Sequence, residues 1–325
     1  MPQQRQTYLD TVAGILIIYM IFMHCCQFTQ MTESSLFKTI SVVFNCFMAW
    51  FFFKSGMFHK KRQTIKNSAN ILKKKLLHPY LSFLIIGYIG YCISLYINKD
   101  TNWIHYLLTP IKECIVNGSI SWALHAWFLF TLFIVKALSS VFIEKFNYGW
   151  IYCGLIGWLA AWISMNYFTL QPFYIVNFFP AMFFYGLGYT MRTKQFHKTI
   201  FILSIIVFAL SIFYPSKVDF RTNQITTGSY LMWLLYAGAG IILFNNIYRI
   251  LNHEIFPFTQ IGEKSMYWFL SHWILLLLIT NTIEYMKIQL NNISLLFFVF
   301  SSLIASLSIL YPLIFRTKLN RYLGV

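Results

Sequence analysis

The chain has 325 residues, of which 58% are hydrophobic, 20% aromatic and only 10% charged. So much apolar surface excludes a water-soluble domain of this length, and long unbroken apolar runs exclude a β-barrel, which leaves an all-α, polytopic membrane bundle. The net charge of +16 would suit a nucleic-acid binder, but the Lys and Arg residues gather between apolar runs, as membrane insertion requires, so no nucleic-acid partner is expected.

In chain order, apolar stretches predict about ten transmembrane helices, near 11–30, 38–58, 78–97, 122–143, 150–168, 174–191, 199–214, 229–250, 266–283 and 293–315. No small-residue cleavage site follows the first run, so it is expected to stay as a span. There is no repeat of fixed period and no low-complexity linker. Residues 1–325 are therefore expected to form a single integral-membrane domain. An even number of spans puts both termini on one side. The loop HKKRQTIKNSANILKKKLL at 59–77 marks that side as cytoplasmic, because basic loops stay inside. Arg5, Lys145, Arg192, Lys194, Lys198, Arg249, Lys264, Arg316, Lys318 and Arg321 fall on the same side, against Lys38, Lys99, Lys112, Lys217, Arg221 and Lys287 on the other.

The first span, RQTYLDTVAGILIIYMIFMHCC from Arg5 to Cys26, begins beside Asp10 and carries His24 deep in its apolar run. Ionisable groups inside a membrane helix are costly and mark functional sites. At about 100° per residue, His24 returns to within roughly 40° of Asp10 on the helix surface, about 21 Å further along. Ala13, Ile17 and Ile21 lie near the same line. A histidine is a suitable general base because it takes and returns a proton near neutrality. The plainer reading is a histidine hydrogen-bonded inside a bundle.

Later spans add further polar groups. Lys54-Ser55-Gly56 closes the second span, either as a snorkelling lysine with a packing glycine or as part of a substrate path. Lys73, Lys74 and Lys75 run into the third span and, with Arg62, are placed to hold phosphates, although topology and anionic lipid explain such a loop equally. The fourth span opens SWALHAWFLFTLF. Its Trp122 and Trp127 fit an interfacial belt, and His125 lies on the His24 side. Gly186-x-Gly188 implies close helix packing. His272 lies in the ninth span, about a third of the way in from the cytoplasmic face, which predicts no contact with His24. The cysteines Cys25, Cys26, Cys46, Cys92, Cys114 and Cys153 lack metal-type spacing, and no metal is expected.

Taken together, LDTVAGILIIYMIFMH at 9–24, FFFKSGMF at 51–58, ILKKKLLHPYL at 71–81, HAWFLFTLF at 125–133, FFYGLGY at 183–189 and IGEKSMYWFLSH at 261–272 resemble acyltransferase family 3, in family order over most of the chain. The resemblance implies transfer of an acyl group, usually acetyl, from acyl-CoA (acetyl-CoA) as co-substrate to a hydroxyl of a surface polysaccharide or lipid-linked sugar. It makes His24 the catalytic histidine and maps the family aspartate onto Asp10. The family commonly has Arg or Lys three residues after that aspartate, where this chain has Ala13. Lys54 and Arg5 are the candidates to supply the missing charge.

The expected function is a membrane O-acyltransferase of the bacterial cytoplasmic membrane. Lys73, Lys74, Lys75 and Arg62 would hold the donor, Lys54, Ser55, His125, Trp127 and His272 would line the substrate path, and membrane lipid and a glycan acceptor would be its partners. The alternatives are a transporter or export component for a glycan or lipid precursor, and a non-catalytic member of a glycan-assembly complex.

Overall fold

The computed structural model describes residues 6–60, 65–97, 103–146, 148–167, 173–192, 198–251 and 254–317. The chain runs through α1 (Thr7–Phe28), α2 (Ser35–Val43), α3 (Phe47–Met57), α4 (Ile65–Leu72), α5 (His78–Ile97), α6 (Trp103–Asn117), α7 (Trp127–Ser139) and α8 (Gly149–Tyr167). It continues through α9 (Phe173–Val176), α10 (Phe178–Met191), α11 (Lys198–Phe213), the hairpin β1 (Lys217–Asp219) and β2 (Gln224–Thr227), α12 (Tyr230–Leu251), α13 (Phe258–Glu263), α14 (Ser265–Tyr285) and α15 (Asn292–Phe315). Among the described residues that hairpin is the only sheet.

A helix lies under every predicted span. Among the described residues, seven segments are long and apolar enough to cross a bilayer: Thr7–Phe28, Ser35–Met57, Ala69–Ile97, Leu107–Lys145, Tyr230–Ile250, Ser265–Tyr285 and Asn292–Phe315. With 14 and 16 residues, α10 and α11 are too short by that measure, and Trp, Tyr and Gly dilute the hydropathy of α8. The outward faces of α5, α8, α11 and α15 carry Ile85, Ile89, Trp158, Ile205 and Phe297, all exposed. A soluble protein does not leave such continuous apolar faces to water. This is an integral membrane protein.

The centre of the bundle is α1. Leu9, Val12, Ala13, Leu16, Ile17 and Ile21 are almost completely buried, so hardly any of this helix is left for lipid. Its closest neighbour is the short α13, which runs antiparallel to it. A Cβ on Gly14 would stand 1.9 Å from the carbonyl oxygen of Phe258, and one on Gly262 would stand 1.7 Å from that of Asp10. Only glycine allows two backbones to lie so close. Thr11 and Thr259 share a hydroxyl hydrogen bond of 2.8 Å in the same seam. The pairing of α3 with α10 works the same way, since Gly56 abuts the Tyr185 carbonyl and Gly188 abuts that of Phe53. The packing role read for Gly186-x-Gly188 is therefore what the fold uses.

At the end where α1 begins, called here the near end, buried His59 ties α3 to the turn Ser140–Lys145 and to α10. One ring nitrogen lies 2.8 Å from Glu144 Oε1 and the other 2.9 Å from the Tyr185 hydroxyl. At the opposite, far end the β1–β2 hairpin folds back onto the bundle. Asn223 makes its turn with φ of 56°, a conformation that Asn tolerates better than most residues. Phe220 plugs the hairpin into the core, stacked on Phe52 at 5.2 Å with Trp233 at 5.7 Å and Trp127 at 6.3 Å. Side-chain amides secure its edges. Asn45 donates to Ser216 O at 2.7 Å, Asn177 to Arg221 O at 3.1 Å and Asn223 to Gly157 O at 2.9 Å. Asn45 sits in the break between α2 and α3, so the interruption of that span also serves to hold the hairpin.

Candidate active site

His24 lies one turn from the end of α1. Its Nδ1 is 2.8 Å from Gln27 Oε1. An amide oxygen only accepts, so Nδ1 carries the proton and Nε2 keeps the lone pair. The ring stacks on His272 at 5.3 Å and 20°, and meets Trp273 edge-on at 4.9 Å. His272 in turn stands 5.5 Å from His125. The residues His24, His125 and His272 thus form one group.

That contact corrects the predicted separation of His24 and His272. The sequence estimate began the ninth span at the membrane edge, whereas α13 takes up that depth and α14 starts inside. Ser265 and Met266 line the same cavity as Ile17. Seven residues further along each helix, His272 and His24 arrive at the same level. The interfacial belt reading of Trp127 is also overturned, because this residue is only 7% exposed and forms cavity wall.

The cavity at the far end has a volume of about 500 Å³ and takes in His24, His125, Gln27, Trp127, Trp233 and Trp273. His272 lies behind it, fully buried, with Nδ1 2.7 Å from the Phe269 carbonyl oxygen. That carbonyl likewise fixes the proton on Nδ1. Among the described residues, Nε2 of His272, both ring nitrogens of His125 and Nε1 of Trp233 make no well-directed hydrogen bond. Buried polar atoms of this kind are costly unless something else satisfies them. Toward its mouth the cavity gains Ser41, Asn45, Lys217, Asp219, Arg221 and Thr226.

A second cavity, of about 220 Å³, lies toward the near end and is lined by Ile17, Lys54, Ser55, Lys136 and Ser265 among apolar groups. Phe269 lines both spaces, and Phe128, with its ring centroid 5.0 Å away, lines the second. Lys54 does not snorkel to water. Its Nζ is 3.1 Å from Asp10 Oδ1 and 3.3 Å from Leu9 O, with side-chain exposures of 19% for Lys54 and 11% for Asp10. This ammonium from α3 thus pairs with the aspartate one turn before Ala13. Asp10 and His24 therefore belong to different spaces, Asp10 to the Lys54 pair and His24 to the far cavity.

Lys73, Lys74 and Lys75 are exposed on a wide helical turn between α4 and α5, outside both cavities. The turn packs on α7, the helix that carries Lys136. Arg62 lies outside the described residues. Sequence reasoning missed Lys136, Gln27, Phe269 and the hairpin residues Lys217 and Arg221. Lys136 had a usable signal, since a lysine inside WFLFTLFIVKALSS is an intramembrane charge. Among the described residues no three His, Cys, Asp or Glu groups are placed to hold a metal ion.

A helical membrane bundle with a histidine group at one cavity and lysines at another is the frame of a membrane-embedded transferase. Residues 6–311 match the family described as an acyltransferase domain. The chain belongs to acyltransferase family 3 and is a membrane acyltransferase. Searches of curated proteins and of solved structures each return no match.

Proposed function

We propose that the protein is an acyl-CoA-dependent O-acyltransferase that moves an acetyl group to a hydroxyl of a surface polysaccharide or lipid-linked sugar. The reading rests on one observation: His24 lines a roomy far cavity while Gln27 Oε1 lies 2.8 Å from its Nδ1. His24 takes the acceptor's hydroxyl proton as the oxygen attacks the acyl carbon. The new C–O bond forms, the C–S bond of the thioester breaks, and His24 returns the proton to the departing thiolate. His272 supports the ring of His24 by stacking. The aromatic and amide lining, with Trp127, Trp233, Asn45 and Gln27, offers the flat faces and hydrogen bonds that a sugar uses.

The reading takes the whole chain as one domain of ten spans, with both termini in the cytoplasm of a bacterial cell. The near end then faces the donor. Lys54 and Lys136 in the near cavity, with Lys73, Lys74 and Lys75 on the adjoining turn, suit the phosphates of acyl-CoA. The apolar near cavity suits the slim arm of the donor, and Phe269, which lines both cavities, marks where that arm passes toward His24. Such a donor fits the residues present.

The test is transfer of labelled acetyl from acetyl-CoA to cell-envelope glycan by the purified full chain in vesicles, wild type beside His24→Gln. Label that disappears in the variant is the expected result. Equal label in both would move the chemistry away from His24, and no label in either, with a range of acyl donors, would favour the transport or scaffold readings.

A further inference from the structure

We propose that the acceptor is anionic, and that Lys217 holds its carboxylate or phosphate group at the mouth of the far cavity while the reacting hydroxyl lies at His24. The proposal rests on the acyltransferase reading above and adds the charge class of the acceptor.

Lys217 begins β1 and lines the same cavity as His24. Its side chain is half-buried, and Nζ donates to the hydroxyl of Ser41. Among the described residues it has no carboxylate partner. The nearest acid in the wall, Asp219, is committed to the hairpin turn. One carboxylate oxygen accepts from Arg221 N at 3.0 Å and the other from the Thr222 hydroxyl at 3.0 Å. A second ammonium, Lys38 on α2, is close enough to act on Lys217, and Glu33 pairs with Lys38 at 2.8 Å. Arg221 adds a further cation to the wall. Lysines that are merely solvated point into bulk water, where their charge is cheap. This one is drawn into a cavity wall without a counter-ion, at a desolvation cost that an incoming anion would offset.

Geometry argues that the charge is meant for a ligand. Phe220, three residues on from Lys217, is locked between Phe52 and Trp233. Asn45 clamps Ser216, the residue before Lys217. The ammonium is therefore held in place with respect to the cavity, so it meets a ligand already ordered. The neutral amides of Asn45 and Gln27 in the same cavity suit sugar hydroxyls, and the lysine selects among sugars by charge.

The experiment uses the full chain in neutral-lipid vesicles with three matched oligosaccharides: one bearing a uronic acid, one bearing a phosphodiester, and the carboxyl-reduced neutral form of the first. Binding and acetyl transfer are both measured for wild type, Lys217→Met and Lys217→Arg. In the wild type an acidic compound should be used in preference to the neutral one. That preference, as a ratio of kcat/KM values, should fall about tenfold in Lys217→Met, the usual worth of a hydrogen bond to a charged group. Most of it should return in Lys217→Arg. Whichever acidic compound is preferred tells carboxylate from phosphate. Transfer to all three without preference, or a preference untouched by Lys217→Met, would overturn the anionic acceptor and leave the acyltransferase reading standing. Lysine-dependent binding of the acidic compounds without transfer would do the reverse.

Discussion

The two cavities differ in how they carry charge. In the near one, permanent charges come from inside helices. Lys54 and Lys136 project from α3 and α7, and Lys54 is neutralised by Asp10 across a partly buried pair. In the far one, the helices supply neutral, titratable rings and the cations arrive on a hairpin at the mouth. A buried ion pair fixes structure and costs much to break, whereas a neutral histidine can take a proton and give it back. On the reading proposed above, proton transfer belongs to the far cavity and charge holding to the near one. Phe269, which lines both, separates the two tasks.

Removal of the base should have the largest effect. His24→Gln should lower kcat about a thousandfold, within the range general bases contribute. His24 is only partly buried and, among the described residues, its one hydrogen bond is to Gln27, so the melting temperature should hardly move. A variant that lost activity only because it unfolded would contradict the division of tasks.

The near cavity should respond in the opposite sense. Lys54→Met leaves Asp10 inside the bundle without its ammonium. It should cost about 2 kcal/mol of stability, less than a fully buried pair because both groups keep some exposure. Thermal melts in detergent would register this as a lower midpoint, and Lys54→Arg should recover most of it. Asp10→Asn combined with Lys54→Met should destabilise by less than the sum of the single changes. Additive losses would show that the pair does not act as a unit.

A smaller effect is expected at Gln27, which touches the base and not the reacting atoms. Gln27→Leu frees the Nδ1 of His24 and should lower kcat about tenfold, as the loss of such an orienting partner commonly does. The pH profile of kcat should shift with it, while KM for the donor stays the same. A fall in kcat with an unchanged pH profile would make Gln27 a packing residue only.

These residues were not equally legible in the sequence. The stripe joining Asp10, Ala13, Ile17, Ile21 and His24 follows from helical period alone, and the structure buries Asp10, Ala13, Ile17 and Ile21 along it. The packing glycines Gly56 and Gly188 were also readable, because small residues in apolar helices have few other uses. The meeting of His24 with His272 was not. It depends on α13 folding back beside α1, a tertiary event whose local mark is only the spacing of Gly14 and Gly262. Lys217 was hidden for another reason. Basic residues in loops were counted for topology, which treats them all as solvated, although Val218 and Phe220 alternating with Lys217 and Asp219 is the period of a strand.

The smallest effect separates charge at Lys217 from the shape of the hairpin. Burial, and then the Lys38 ammonium, hold the Lys217 pKa below the ordinary lysine value. The charged or titratable groups around it are Lys38 from α2, Asp219 and Arg221 from the hairpin, and Tyr19, His24 and His125 in the same cavity. The lysine therefore gives up its proton at a lower pH than a free one, and preference for an acidic acceptor should fade early as pH rises. Stability should move the other way. Between the lowered folded pKa and the ordinary unfolded one, the unfolded chain binds more protons, so this group's contribution makes the fold more stable as pH increases. A hairpin that loosened in alkali would lose preference and stability together. Acceptor preference that falls while the melting temperature holds or rises is the signature of the charge. Lys38→Gln should move the fading of preference to slightly higher pH, and only slightly, because burial is the larger cause.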